Sequence, residues 1–182
     1  TYDSELIDEF GYKTPEEAVK KLIKLFPDRN TSILDPGCGT GLVGKILKNE
    51  GYQDIDGFDL SVEMLEKARL LQVYQELYEA DLSKPLEYSK DYQVVICVGV
   101  FSHNPEHPKM LAKLLNYLLA DGLIITTVNG KGWQEINWDK LLSESMKTHG
   151  FILESMDKIP YLVHQDIDGK LLVIKSSNSK EC

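Results

Sequence analysis

The sequence predicts an α/β fold: a seven-stranded, mostly parallel sheet with helices on both faces and an antiparallel last strand. Three observations lead there. Strand and helix patterns alternate along nearly the whole chain, which implies a parallel sheet with right-handed crossovers. The most apolar run, Val94 to Val98, lacks the in–out alternation of a half-solvated strand and reads as buried on both faces. The last two strand patterns have no helix between them, which implies an antiparallel hairpin.

Residues 2–10 are short and mixed, a helical turn with Asp3 or Ser4 as its cap. Thr14-Pro15-Glu16-Glu17 is a helix start, with Thr14 as N-cap, Pro15 at the first position and acids in the first turn. That helix carries Ala18, Val19, Leu22, Ile23 and Phe26 and stops before Pro27. Residues 31–34 form the first strand, and a helix over about 41–50 stops at Gly51. Residues 55–59 are the second strand, after which Ser61 caps a helix that reaches about Leu71. A weaker third strand covers 74–80 and the fourth covers 92–98. A helix over 105–119 shows an apolar face of Met110, Leu111, Leu114, Leu115 and Leu118. Asp121-Gly122 turns into a fifth strand at 123–128, and a helix over 135–148 stops near Gly150. Residues 151–158 and 171–175 are the closing strands, with a turn at Asp168-Gly169.

A chain of 182 residues is one domain with room for a full core. We expect that domain over 1–176, with 1–14 as a candidate lid segment and 177–182 as a frayed polar tail. The net charge of −9 disfavours tight binding to a nucleic-acid backbone, where phosphate neutralisation supplies much of the affinity. No apolar run approaches the ~20 residues needed to span a bilayer, and no signal-peptide pattern opens the chain. Cys38, Cys97 and Cys182 are an odd set without metal spacing, expected to be reduced thiols in a cytoplasmic protein. No metal site is expected, and the oligomeric expectation is a monomer or weak dimer.

One stretch carries the function. Ile33-Leu34-Asp35 ends an apolar run in an acid, Gly37-Cys38-Gly39-Thr40-Gly41 alternates glycines, and Leu42, Val43, Ile46 and Leu47 open a helix. This is a strand, a tight turn and a helix N-terminus, the Rossmann-like arrangement that receives a nucleotide-like ligand. Two readings share these glycines. Gly39-Thr40-Gly41-Leu42-Val43-Gly44 satisfies the dinucleotide pattern G-x-G-x-x-G, with Asp59 at about the ~20-residue distance. Asp35 weighs against that reading, because a carboxylate at the strand end would face pyrophosphate oxygens. An acid there suits a cationic ligand.

The acid-x-Gly-x-Gly-x-Gly string resembles motif I of the class I S-adenosyl-L-methionine (SAM) methyltransferases. The resemblance covers about residues 2–175. Further blocks are similar to one group, the Williams–Beuren-region methyltransferase-like proteins and their bacterial and invertebrate relatives. These blocks are Tyr2-Asp3, Gly11-Tyr12-Lys13-Thr14-Pro15, residues 37–44, Gly57-Phe58-Asp59-Leu60-Ser61, Met64-Leu65, Phe101-Ser102-His103 and Gly122-Leu123. Pro36 departs from the aliphatic residue usual after the acid, and the turn before strand five is shortened to Asp121-Gly122. The resemblance implies the class I methyltransferase fold, SAM as cofactor with S-adenosylhomocysteine (SAH) as product, and methyl transfer to a small-molecule acceptor. It does not give the acceptor.

On that reading the cofactor residues sit at strand ends. Asp35, Gly37, Cys38, Gly39, Thr40 and Gly41 follow the first strand. Asp59 ends the second, placed to accept both ribose hydroxyls as charge-assisted hydrogen bonds, or simply to face a helix N-terminus. Leu60 and Met64 would flank the adenine or serve as core. Asp81 and Leu82 end the third strand, placed for the exocyclic amine and the ring, with a plain loop acid as the alternative. Strand four ends in Val98-Gly99-Val100, where backbone groups would meet the methionine part.

Transfer of a sulfonium methyl is a single displacement, so the protein must chiefly align the reactants and exclude water. His103, directly after strand four, is the candidate general base, with a helix-flanking role as the alternative. Tyr2, Tyr12, Asn129 and Trp133 are candidate substrate residues, each equally readable as packing. Strand four lacks an Asn-Pro-Pro-Tyr segment, against the amino-methylating enzymes of adenine and glutamine. Two other functions stay open: a SAM-binding protein of this fold without catalysis, and a nicotinamide oxidoreductase.

Overall fold

The computed structural model describes residues 11–84 and 90–177. The expectations for residues 1–10, Tyr2 among them, and for 178–182 lie outside the described residues.

Helix α1 (Thr14–Leu25) begins at the Pro-acid signal, but Thr14 is its first residue and Lys13 holds the cap position without a side-chain bond. The Thr14 hydroxyl instead donates to the Tyr161 carbonyl at 3.3 Å. Strand β1 (Ile33–Pro36), α2 (Leu42–Asn49), β2 (Ile55–Asp59), α3 (Val62–Leu70) and β3 (Leu77–Glu79) follow. Ser61 caps α3, its Oγ accepting from the Met64 amide at 3.3 Å. β3 is shorter than expected because Tyr74 leaves the sheet and turns its hydroxyl to Asp35.

Strand β4 (Tyr92–Phe101), α4 (His107–Lys113) and β5 (Leu118–Asn129) come next. The helix expected to reach residue 119 tightens into a 3₁₀ turn at Leu114–Tyr117, and Leu118 already pairs with Tyr92. From there β5 advances five residues to Leu123 while β4 advances two to Val94, so Asp121-Gly122 lies in a wide bulge of a single long strand. An unexpected short helix α5 (Gly130–Glu135) precedes the helix expected over 135–148, which is α6 (Trp138–His149); Asn137, at a φ of 54°, separates the two. The hairpin of β6 (Phe151–Leu162) and β7 (Ile167–Ser176) turns at Val163–Gln165 and Asp166. Asp168 and Gly169, expected in the turn, instead pair with Pro160 and Ile159.

The seven strands form one sheet in the order β3-β2-β1-β4-β5-β7-β6, with β7 antiparallel to both neighbours. β4 is buried on both faces. Val94, Ile96 and Val98 join Ala18 and Leu22 of α1 and Val43 and Leu47 of α2. Val95 and Cys97 join Leu111 of α4 and Trp138 and Leu142 of α6 on the other side. Complete burial of such a side chain stabilises by about 1.5–3 kcal/mol. Buried Asp56 in β2 is satisfied by Lys90 Nζ and the Tyr92 hydroxyl, each 2.8 Å away, and by the Glu76 amide at 3.1 Å. Among the described residues no helix is long and apolar enough to cross a membrane, and no group of His, Cys, Asp and Glu is arranged to hold a metal.

Candidate functional site

The strand order reverses between β1 and β4, and in open α/β sheets a ligand binds outside the carboxyl ends at such a switch. After β1, Gly37, Gly39 and Gly41 take φ of 70°, 55° and 93°, left-handed values that favour glycine. The turn consumes its own donors. The Gly37 and Cys38 amides both donate to the Phe58 carbonyl, at 2.8 and 3.0 Å, and the Gly41 amide donates to the Cys38 carbonyl at 2.9 Å. The Gly39 amide donates to Asp59 Oδ2 at 2.9 Å. A phosphate-binding turn works by offering such groups to the anion. Here four of them face protein acceptors, which argues against the dinucleotide reading.

Asp59 also accepts the Ser61 amide on Oδ1 at 2.8 Å, so its carboxylate ties the end of β2 to the apex of the turn. A carboxylate has about four acceptor positions, which leaves capacity for a ligand hydroxyl. Beside it opens a cavity of about 630 Å³. All the expected cofactor residues line it except Asp35 and Gly41. Asp81 accepts the Ser83 amide at 2.8 Å, and this bonding, helped by Lys84, holds its carboxyl below the usual range. In the floor, Gly99 takes a φ of 76°, and a Cβ there would lie 2.5 Å from the Tyr12 hydroxyl. Its amide donates to Thr127 Oγ1 at 3.2 Å.

Several expected site residues lie elsewhere. Asp35 is buried beneath the turn, 1% exposed, and accepts the Tyr74 hydroxyl at 2.7 Å. Burial pushes its carboxyl up to about 7, opposed by the Tyr74 bond and reinforced by Asp59. Burial, with Asp35 and Asp59 nearby, also pushes the Cys38 thiol up, so Cys38 is a neutral packing group on the cavity wall. Gly41 packs against Leu71, Tyr74 and Ala68 at the start of α2, away from the cavity. Asn129 caps α5, its Oδ1 accepting the Lys131 and Gly132 amides at 2.9 and 3.4 Å. Trp133 is core: it stacks on Trp138 at 5.6 Å, and its Nε1 donates to Asp139 at 3.0 Å. His103 is half exposed at the surface, with Nδ1 2.5 Å from Glu135 Oε2, and does not line the cavity. Tyr12 does line it.

Sequence reasoning did not assign Pro15, Met110, Tyr161 or Leu162 to the site, though all four line the cavity. The alternation Ile159–Tyr161, which extends β6 past Lys158, was the available signal for the last two. His107 accepts the Ser102 amide on Nδ1 at 2.8 Å. Burial, and then the neighbouring His103, lower its pKa.

Residues 10–167 match the family model described as a methyltransferase domain. The chain belongs to this methyltransferase family. The methyltransferase domain is 30% identical over 112 residues to a ubiquinone biosynthesis O-methyltransferase of Yersinia enterocolitica, a match over 56% of this chain and 45% of that protein. It is 36% identical over 95 residues to human methyltransferase-like protein 27, over 50% of this chain and 39% of that one. The chain thus spans less than half the length of these relatives. In structure, it is similar to magnesium protoporphyrin IX methyltransferase from Synechocystis PCC 6803 with bound SAH. The TM-score is 0.71 at 18% identity, over 97% of this chain and 88% of that one. That likeness shows the shared Rossmann-like methyltransferase fold.

Proposed function

We propose that the domain binds SAM in this cavity and transfers its methyl group to a small-molecule acceptor. The observation that carries the reading is the glycine turn. Its amides at 37, 38, 39 and 41 are held by protein acceptors, while carboxylates at Asp59 and Asp81 face the cavity. Such a site suits a ligand with hydroxyls, an amine and positive charge. Bound there, SAM supplies an electrophilic methyl on a sulfonium, and its transfer leaves SAH.

Asp59 accepts the ribose hydroxyls while it keeps the Gly39 and Ser61 amides. Asp81 accepts the adenine amine, and Leu60, Met64 and Leu82 flank the ring. The backbone at Val98-Gly99 contacts the methionine part. Asp35 acts from beneath the turn rather than by touching the ligand. With His103 off the cavity wall, the domain's contribution is alignment and exclusion of water, not proton removal by that histidine. The partial similarity to an O-methyltransferase supports a small-molecule acceptor, and that to methyltransferase-like protein 27 supports the narrower group. Calorimetric titration with SAH and with NAD⁺ tests the reading. We expect heat and a raised Tm with SAH and neither with NAD⁺; the reverse pattern would overturn it. A labelled-SAM screen of small acceptors then tests transfer.

A further inference from the structure

We propose that the acceptor half of the cavity takes an uncharged, ring-sized apolar molecule and turns away carboxylate acceptors. The inference rests on the cofactor reading above and adds the class of acceptor.

The two ends of the cavity differ in chemistry. Its charged lining residues are Asp59 and Asp81, both at the cofactor end. Next to Gly99, whose backbone is assigned to the methionine part, the wall is Tyr12, Pro15, Tyr161 and Leu162. The rings of Tyr12 and Tyr161 meet edge to face, with centroids 5.6 Å apart at 63°, and so form an aromatic corner into which a planar ring packs well. The corner is held in place by backbone bonds. Tyr12 bridges to Leu162 in antiparallel pairing, the Val163 amide donates to the Gly11 carbonyl at 3.2 Å, and the Thr14 hydroxyl donates to the Tyr161 carbonyl at 3.3 Å. A wall fixed before the ligand arrives spares the binding step the entropy of ordering it.

Charge decides what that wall accepts. Among the described residues, no Lys, Arg or His lines the cavity. The whole chain has a net charge of −9. A carboxylate entering the acceptor half would lose its hydration against apolar walls and, with SAH in place, find no cationic side chain among the described lining residues to offset that loss. The negative field would also lower its local concentration. A neutral ring bears none of these penalties and gains the burial of its faces.

The test uses the full chain saturated with SAH and two probes that share a ring and a hydroxyl, methyl 4-hydroxybenzoate and the 4-hydroxybenzoate anion. Calorimetry at pH 7.5 should show the ester binding about tenfold or more tightly, the least that burying an unpaired carboxylate demands. Leu162→Lys, which supplies the missing cation, should narrow that gap to about threefold or less. Tyr161→Ala should weaken the ester about fivefold while SAH affinity stays within about twofold. Equal or tighter binding of the anion to the parent protein, or no binding of the ester, overturns the inference and leaves the cofactor reading standing. Failure of SAH to bind overturns the cofactor reading, and the inference falls with it.

Discussion

The Tyr74 hydroxyl donates to Asp35 Oδ2 across 2.7 Å beneath the glycine turn. The Tyr74 ring also fills the space beside Gly44 and Gly57, where a Cβ would lie 2.4 and 3.0 Å from it. One side chain thus joins the acid of β1, the first turn of α2 and the middle of β2. Tyr74→Phe keeps the ring and removes the donor. We expect a loss of about 1–3 kcal/mol at pH 8, where an ionised Asp35 is left without its partner. The loss should be smaller at pH 5, where Asp35 holds its own proton. Urea unfolding at the two pH values measures both, and equal losses would contradict the coupling.

Asp35 itself predicts a pH dependence. Burial lifts its carboxyl to about 7 in the folded protein, against about 3.9 in an unfolded chain. Between these values the folded state binds the extra proton. The Asp35 contribution to stability is therefore full below about pH 4 and is lost as pH rises toward 7. The slope is at most about 1.4 kcal/mol per pH unit for one proton. Asp35→Asn removes it, so the variant should gain on the parent across that window and run parallel to it above pH 8. Thermal melts across pH 4–9 that stay parallel throughout would refute the assignment.

Asp59 and Asp81 should separate in titrations with SAH. Asp59 holds the turn through Gly39 and the start of α3 through Ser61, and it is assigned two ribose hydroxyls. Asp59→Asn should weaken SAH by about 1.5–3 kcal/mol per bond lost to the charged group and should lower Tm without ligand. Asp81→Asn, whose acid is bonded by Ser83 on an open loop, should weaken SAH less and leave Tm nearly unchanged. Reversed losses would reassign the two ends of the cofactor.

Gly99 and Tyr12 should be coupled. Gly99→Ala forces a side chain into a positive-φ position and against the Tyr12 hydroxyl, and should cost about 1–3 kcal/mol. Tyr12→Phe removes the nearest atom, and the ring carbon behind it lies 3.6 Å from that Cβ. The double variant should recover about 0.5 kcal/mol or more relative to additivity. Strict additivity in a double-mutant cycle would show that the two do not touch.

His103→Ala should change the turnover number by no more than about threefold once an acceptor is in hand, because the imidazole lies off the cavity and pairs with Glu135. A loss of 10²-fold or more, shrinking at high pH, would instead restore the general-base role.

The glycine turn and Asp59 were legible in the sequence because local chemistry decides them: three left-handed positions favour glycine, and an acid two residues before a helix cap meets the cap's amide. The position of Asp35 was equally legible, but its direction was not, since it is set by Tyr74, 39 residues further on. Asn129 and Trp133 follow a strand that ends at the crevice, and a residue there can face either the crevice or the next helix. Gly132, Trp138 and Asp139 draw them to the helix side. Tyr161 and Leu162 stayed hidden because the hairpin turn was placed at its most turn-like dipeptide, Asp168-Gly169. The antiparallel pairing runs through that dipeptide and lengthens both strands.

β7 lies between β5 and β6 and hydrogen-bonds to both. A strand made earlier in synthesis therefore has no seat until the one after it arrives. While the chain emerges from a ribosome, the turn after β1, Asp59 and the Gly99 backbone, whose amide bonds Thr127, can all be assembled once β5 is out. Tyr161 and Leu162, at the end of β6, must wait for β7 to slot in beside β5. The nascent protein thus acquires the cradle for its cofactor first and the wall for its acceptor last, and the intervening species carries an open β5 edge exposed to other chains.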